Sequence, residues 1–210
     1  MTAPTHRQYA ICTAFIAAMV LYNLKLSEIS YYLTLPILIL TSKYGAIFPD
    51  IDCHWHNIKE KTVPNWIINK LIRLTGGRHR SWQTHSIDIV VVLTIMSYYG
   101  PTILYNNGKI TNVNKEVAII ILMGFMSGWV SHIIADMLTS AGVRILFFSR
   151  VKIALVPKRI GGIQFSTGSD WETFNYKVIR FFNIIIGFIC LIYPMIYNGR
   201  HRYILELLRR

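Results

Sequence analysis

Long apolar runs separated by short basic segments dominate this sequence and restrict the folds open to it. Only helices and closed barrels satisfy their backbone polar groups inside a bilayer, and a helix needs about 20 residues to cross the hydrocarbon. The spacing predicts an all-α integral membrane bundle with about five membrane-embedded helices, in a single domain over residues 1–210. The five runs cover residues 9–24, 29–49, 87–105, 117–148 and 178–197.

The five runs are not equally suited to crossing a membrane. The third and fifth have the expected length, whereas the first is short and the second contains Pro36 and Lys43. Either of these two could therefore be tilted, partly buried or re-entrant. The fourth run is too long for one crossing. We expect it to cross up to about Ser140 and then to turn at Gly142 into an interfacial stretch.

Basic residues are concentrated between the apolar runs. The net charge is +12, yet only 15% of the residues are charged, against roughly 25% in soluble proteins. Because Lys and Arg accumulate in cytoplasmic loops and most aromatic residues lie within apolar runs, we expect a cell-membrane (inner or plasma membrane) protein with no nucleic-acid partner. Alternate threading of the helices places most Lys and Arg on the N-terminal side of the membrane. That side is therefore expected to be cytoplasmic, although the tail arginines oppose this orientation: Arg200, Arg202, Arg209 and Arg210.

The same threading brings most imidazole and carboxylate groups to the N-terminal side. The three cysteines of the chain form no CxxC pair, so neither a disulfide framework nor a thiolate zinc site is indicated. Clustered His and Asp residues at one membrane face instead predict a divalent-metal site. The residues that gather there are His6, Asp50, Asp52, His54, His56, His79, His85, His132, Asp136, Asp170 and Glu172.

Two carboxylates follow the second apolar run directly, in Pro-Asp-Ile-Asp at 49–52. In an extended strand, Asp50 and Asp52 would lie on one side, and hard oxygen ligands beside imidazoles suit a divalent metal. The alternative is a pair of turn residues that end the apolar segment. The nearby His54 and His56 lie in a polar loop and are interpreted as spectators.

His132 and Asp136 are four residues apart near the end of the fourth run, which aligns them on one helical face. Ionisable groups inside a membrane helix are costly and usually face a partner or a cavity. They could bind metal together, Asp136 could orient a ligating His132, or the two could form a purely structural hydrogen bond. Just upstream, the small-xxx-small pattern from Gly124 to Gly128 predicts close helix packing.

The segment before the third run contains His79, Arg80 and His85. The imidazoles could bind metal or transfer protons, and Arg80 could hold a phosphate or carboxylate in a bidentate manner. The alternative is an interfacial anchor, because His, Arg and Trp82 favour the headgroup layer. Glu172, after a Gly/Ser/Thr-rich loop, is a candidate general base or a helix-start charge.

Taken together, these motifs resemble those of the YdjM-type membrane-bound metal-dependent hydrolases. The resemblance rests on His6, on Pro-Asp-Ile-Asp at 49–52, on His-Arg…Thr-His-Ser at 79–86 and on Ser-His-Ile-Ile-Ala-Asp-Met-Leu-Thr-Ser-Ala-Gly-Val at 131–143. A weaker match is Thr-Gly-Ser at 167–169 followed by Glu172. That family is in turn distantly similar to the zinc-dependent phospholipase C and single-strand nuclease superfamily.

The resemblance implies an all-helical fold with a divalent metal, most simply zinc, held by His, Asp and Glu. His79 and Arg80 would be catalytic or substrate-binding residues. The implied metal ligands are His6, Asp50, Asp52, His85, His132 and Asp136.

Metal-assisted hydrolysis of a phosphoester or related bond in a membrane lipid is the function that these features favour. Arg80, Lys158 and Arg159 could steady the anionic group. The alternative is a non-enzymatic membrane protein, either a metal or ion transporter or a scaffold, although transporter sites usually lie near the bilayer midplane. A metalloprotease is least favoured because His-Glu-x-x-His is absent.

Overall fold

The computed structural model describes residues 1–24, 29–53, 62–77, 80, 82–144, 146, 151–156, 159–160, 163–164 and 166–208. Within them the fold is helical, as predicted. Two short antiparallel ribbons pair β1 (Val143–Arg144) with β2 (Lys152–Ile153) and β3 (Arg159–Ile160) with β4 (Ile163–Gln164). The helices are α1 (Ala3–Asn23), α2 (Tyr31–Gly45), a 3₁₀ helix (Phe48–Asp52), α3 (Val63–Leu74), α4 (Trp82–His85), α5 (Ile87–Asn106), α6 (Asn112–Met137) and α7 (Asp170–Leu208).

Three of the described helices are long and apolar enough to cross a membrane: α5, α6 and the Asp170–Tyr197 part of α7. The expectation of about five spans is therefore not confirmed. The reason is clearest for α2, which has 15 residues. At 1.5 Å per residue it is roughly 22 Å long, short of a hydrocarbon core about 30 Å thick.

Helix α6 ends earlier than the fourth apolar run. It stops at Met137, before the predicted Ser140, and Val143–Arg144 beyond the turn form a short strand. The predicted turn at Gly142 is present, with φ of +58°. There a Cβ atom would approach the carbonyl oxygen of Ile153 to 2.7 Å. Gly142 thus allows Val143 to pair with Ile153 in the first ribbon.

Helices α2 and α6 pack with their backbones in close contact. A Cβ atom on Gly124 would overlap the Thr41 hydroxyl, and one on Gly128 would overlap the carbonyl oxygen of Ser42. Gly45 faces the α6 backbone in the same manner. The packing predicted from the small-xxx-small pattern is therefore confirmed, and it brings the end of α2 against the last turns of α6.

A buried core joins α1, α2 and α6. Ala14, Ala18, Leu21, Leu38 and Ile120 are all at most 2% exposed and belong to one cluster. Small residues on α1 let that helix approach the other two closely. The packing places the start of α1 beside the ends of α2 and α6, at one end of the bundle.

Helix α3 is amphipathic and lies outside the predicted apolar runs. Its polar side holds the 3₁₀ helix, because Asn69 donates to the carbonyl oxygens of Ile51 at 2.5 Å and Cys53 at 2.9 Å. Its other side presents large apolar residues that are 46 to 80% exposed: Val63, Trp66, Ile67, Leu71 and Leu74.

Candidate metal centre

Three predicted ligands converge at the end of the bundle where α1 begins and α6 ends. His6, His132 and Asp136 are all buried, and one potential ligand atom from each lies within 4.8 Å of the others. His6 comes from the first turns of α1, and the other two come from one face of α6, as the four-residue spacing predicts.

His6 has the polar atoms most in need of a partner. Both of its ring nitrogens are buried without a hydrogen bond, which is costly for polar atoms removed from water. Nε2 lies 3.4 Å from Asp136 Oδ1. A metal ion would satisfy such a nitrogen, and imidazole is a common zinc ligand. The site therefore fits a bound divalent ion.

His132 is oriented by the end of α2. Its Nδ1 lies 2.6 Å from the carbonyl oxygen of Ala46, which can only accept a hydrogen bond, so Nδ1 must carry the proton. Nε2 then keeps its lone pair and lies 3.7 Å from Asp136 Oδ2. A ligating histidine is typically held by such a contact through its second nitrogen.

His85 extends the cluster toward α5. Its Nε2 is 3.2 Å from Nε2 of His132. Two nitrogens bound to one tetrahedral zinc at 2.0–2.1 Å would be about 3.3 Å apart. His85 Nδ1 contacts the Thr84 hydroxyl at 2.8 Å and Asp52 Oδ2 at 3.3 Å, so this ring also has a partner on its far side.

The two acidic residues after α2 lie on a 3₁₀ helix, so the expectation of an extended strand was wrong. Pro49 in the first turn favours helical geometry there. Asp50 Oδ1 lies 3.8 Å from Nε2 of His132, and its side chain is 34% exposed. Asp50 therefore reaches the cluster from its solvent side.

Asp52 is fully buried and lies behind His85. Its Oδ2 accepts hydrogen bonds from the Thr84 hydroxyl at 2.5 Å and from the Arg80 backbone N–H at 3.0 Å. These contacts suit a carboxylate that orients the imidazole of His85. A role as a direct metal ligand stays a prediction for both Asp50 and Asp52.

Arg80 joins the two buried carboxylates. Its backbone N–H contacts Asp52, and its Nε lies 2.9 Å from Asp136 Oδ2. The residue is 9% exposed and has φ of 60°, a left-handed conformation that is unfavourable for a non-glycine residue. Such strain clusters at functional sites, and the catalytic or substrate-binding role of Arg80 stays a prediction.

Glu172 lies near the start of α7, at the same end of the bundle. Its Oε1 accepts from the Thr2 backbone N–H at 2.5 Å and the Thr2 hydroxyl at 2.8 Å, and its Oε2 accepts from the Gly168 N–H at 2.7 Å. The carboxylate thus ties the segment before α1 to α7. The proposed role as general base stays a prediction.

Some predicted residues lie outside the described part of the chain, and some contacts were not predicted. His79, His54, His56 and Lys158 belong to the first group, and the side chain of Arg159 is likewise not described. The missed contacts are those of Thr84 and of the Met1 amino group, which is 2.5 Å from Asp136 Oδ1. Thr84 directly precedes His85 in the sequence. A hydroxyl next to a predicted ligand was the available signal that Thr84 contacts the site.

Comparison with known proteins gives a family but no solved relative. The chain is 28% identical over 156 residues to the uncharacterised protein YvsG of Bacillus subtilis (strain 168). The aligned region covers 74% of this chain and 78% of YvsG. No solved structure matches it. Residues 1–202 match the model of the YdjM inner membrane protein family. With its membrane-type helices and its buried His and Asp cluster, this chain belongs to the YdjM inner membrane protein family.

Proposed function

We propose that this protein is a membrane-bound metal-dependent hydrolase that acts on a phosphoester or related bond of a lipid. The observation that carries the proposal is the buried group of His6, His132 and Asp136, in which both nitrogens of His6 lack a hydrogen-bond partner. Nitrogen and oxygen ligands without thiolates are compatible with zinc.

The metal would be held by His6, His132 and Asp136, with His85 and Asp50 as further ligands within reach. When bound, a divalent ion supplies Lewis acidity and lowers the pKa of water toward about 7. The Ala46 carbonyl holds His132 with Nε2 directed to this site. Asp52 and Thr84 hold His85 in the same way from its other nitrogen.

Arg80 is the residue that we assign to the anionic group of the substrate. Its Nε lies beside Asp136, and its Nη1 is 3.5 Å from the Thr139 hydroxyl. A guanidinium held in this way can bind phosphoryl oxygens in a bidentate manner and stabilise charge that develops in the transition state.

A lipid substrate is supported by where the cluster lies. The residues come from the first turns of α1, the 3₁₀ helix after α2, the end of α4 and the end of α6, so the cluster lies at one end of the bundle. The exposed apolar side of α3 is next to it, since α3 holds the 3₁₀ helix that carries Asp50 and Asp52. The phosphoester bond of a lipid lies at headgroup depth and would therefore be level with this site.

Metal content tests the proposal most directly. The full chain is purified in detergent, stripped with a chelator, repleted with Zn²⁺ or Mn²⁺ and assayed by elemental analysis. We expect at least one ion per chain in the wild type and in His201→Ala, whose histidine lies elsewhere in the sequence, and loss of the ion in His132→Ala and Asp136→Ala. Metal well below one ion per chain in the repleted wild type contradicts the proposal.

Hydrolysis and transport are then separated with the repleted protein. Phospholipids incubated with it should release a water-soluble phosphate compound, detected by mass spectrometry, and Arg80→Gln should slow the release by about 100- to 1,000-fold. Proteoliposomes loaded with a metal-sensitive dye test the alternative. Metal entry without lipid cleavage would identify a transporter and overturn the hydrolase proposal.

A further inference from the structure

A groove outside the metal cluster combines basic and apolar side chains. It has a volume of about 430 Å³ and runs between α1, α2 and α7. Arg7 and Lys43 contribute its positive charge, and Ile11, Leu40 and Tyr176 contribute apolar and aromatic surface. None of these residues belongs to the cluster of His6, His132 and Asp136.

Lys43 is the feature of this groove that most needs an explanation. It is half-buried in the last turn of helix α2, which carries no other charge. No carboxylate of the described residues lies within ion-pair distance of it. A charged group among apolar residues near a membrane is costly unless an opposite charge or water reaches it. An anion from outside the protein would supply that charge.

Arg7 contributes the second positive charge from the opposite wall. It is exposed and follows His6 directly, so α1 directs the histidine into the cluster and the arginine into the groove. A guanidinium matches the geometry of phosphate oxygens, and an ammonium acts as a point charge. The pair therefore suits a phosphate group better than a cation or a neutral ligand.

The apolar wall indicates what the phosphate is attached to. Leu40 is 67% exposed and lies almost one helical turn before Lys43, and Ile11 is about one turn after Arg7. Along α1 and α2, both residues lie farther from the metal cluster than Arg7 and Lys43 do. A free phosphate ion would leave this surface uncovered, whereas acyl chains running along the bundle would cover it.

We infer that Arg7 and Lys43 bind the phosphate of a phospholipid whose acyl chains lie along Ile11 and Leu40. The inference goes beyond the proposed function, because it requires neither a bound metal nor hydrolysis. It makes this groove a lipid-binding site separate from the metal cluster, with one wall formed by α1, the helix that also carries His6.

Native mass spectrometry of the detergent-purified full chain tests the inference. The protein is titrated with palmitoyl-oleoyl phosphatidylglycerol in the presence of EDTA, so that the result does not depend on metal. We expect a saturable lipid adduct whose affinity falls about tenfold in Lys43→Gln and in Arg7→Gln, the loss expected for one charge-assisted hydrogen bond. Lys109→Gln is the matched control, since Lys109 is exposed in the turn after α5, and its affinity should equal that of the wild type.

Two comparison ligands identify the part of the lipid that is recognised. Diacylglycerol has the same chains without phosphate and should bind at least tenfold more weakly than phosphatidylglycerol. Glycerophosphate has the phosphate without chains and should not compete. Equal affinity of wild type, Lys43→Gln and Arg7→Gln overturns the inference, as does effective competition by glycerophosphate. A thermal melt in detergent verifies that each variant is folded, and Lys43→Arg, which keeps the charge, should retain binding.

Discussion

The imidazole ring of His6 is stacked on that of His132, with ring centroids 3.9 Å apart and planes inclined by 16°. The two residues come from the first turns of α1 and the last turns of α6. Two positively charged rings would repel each other in this buried position, so the stacked pair favours at least one neutral imidazole. Neutral imidazole is the form that binds metal ions.

His6→Ala should weaken metal binding more than the removal of a residue that only orients a ligand. Removing a partner outside the ligand set typically costs 10- to 100-fold in metal affinity, so we expect a loss of at least about 100-fold for a direct ligand. Competition with a chromophoric chelator measures the affinity, and His201→Ala serves as the matched histidine control. Unchanged affinity in His6→Ala would remove this residue from the ligand set.

Thr84→Val should lower metal affinity without removing a ligand. The Thr84 hydroxyl contacts both Asp52 and His85, so its loss frees the imidazole to rotate and leaves a buried carboxylate oxygen less well satisfied. We expect a 10- to 100-fold weaker metal affinity, measured by the same competition. Thr102→Val is the control, because Thr102 only donates to the Tyr98 carbonyl oxygen within α5.

Arg80→Gln should separate metal binding from turnover. The side chain contacts Asp136 and Thr139 rather than filling a ligand position, so metal content should be retained. If Arg80 stabilises the transition state of hydrolysis, kcat should fall by about 100- to 1,000-fold. Steady-state kinetics on a phospholipid, with metal content measured in the same samples, provide the test. Full activity in the variant would show that Arg80 has a structural role only.

Gly128→Ala should destabilise the protein, whereas Gly100→Ala should not. A methyl group on Gly128 would overlap the α2 backbone at Ser42, but one on Gly100 meets nothing within 4 Å. Overpacking of this kind costs about 1–3 kcal/mol, and alanine in an open helical position gains up to about 1 kcal/mol. Denaturant unfolding of the detergent-solubilised protein measures both free energies of unfolding. Equal stability of the two variants would contradict the close packing of α2 on α6.

Glu172→Ala should loosen the segment before α1. The carboxylate accepts hydrogen bonds from Thr2 and Gly168, and a hydrogen bond to a charged group contributes about 1.5–3 kcal/mol. Hydrogen exchange at the Thr2 and Gly168 amides should therefore become faster. Metal affinity should fall as well, because the first turns of α1 hold His6. Unchanged exchange together with lost activity would instead favour the predicted general-base role.

Much of the site could be predicted from local spacing and from threading. The i, i+4 spacing placed His132 and Asp136 on one face of α6, and alternate threading placed His6, Asp50, Asp52 and His85 at the same end of the bundle. The glycines at 124 and 128 indicated a close helix contact. The spacing predictions succeeded because helical periodicity is a property of short segments. The five crossings that the threading assumed are not confirmed.

Other features depended on contacts between distant segments. The extended geometry expected at Asp50 and Asp52 was replaced by a 3₁₀ helix that is held by Asn69 of α3, a helix outside the apolar runs. Five apolar runs yielded three helices with the length and composition of spans, because hydrophobicity alone does not set where a helix ends.

The sequence by itself determined a helical membrane protein with imidazole and carboxylate groups at one end. The reason is that the spacing of apolar residues and the positions of the charges follow directly from the order of residues. Only the tertiary structure decided which of these groups face one another and which serve as supports. His6 meets His132 through ring stacking, and Asp52 lies behind His85. That division depends on the close approach of α2 and α6 and on hydrogen bonds to backbone carbonyls such as that of Ala46, which no side-chain pattern encodes.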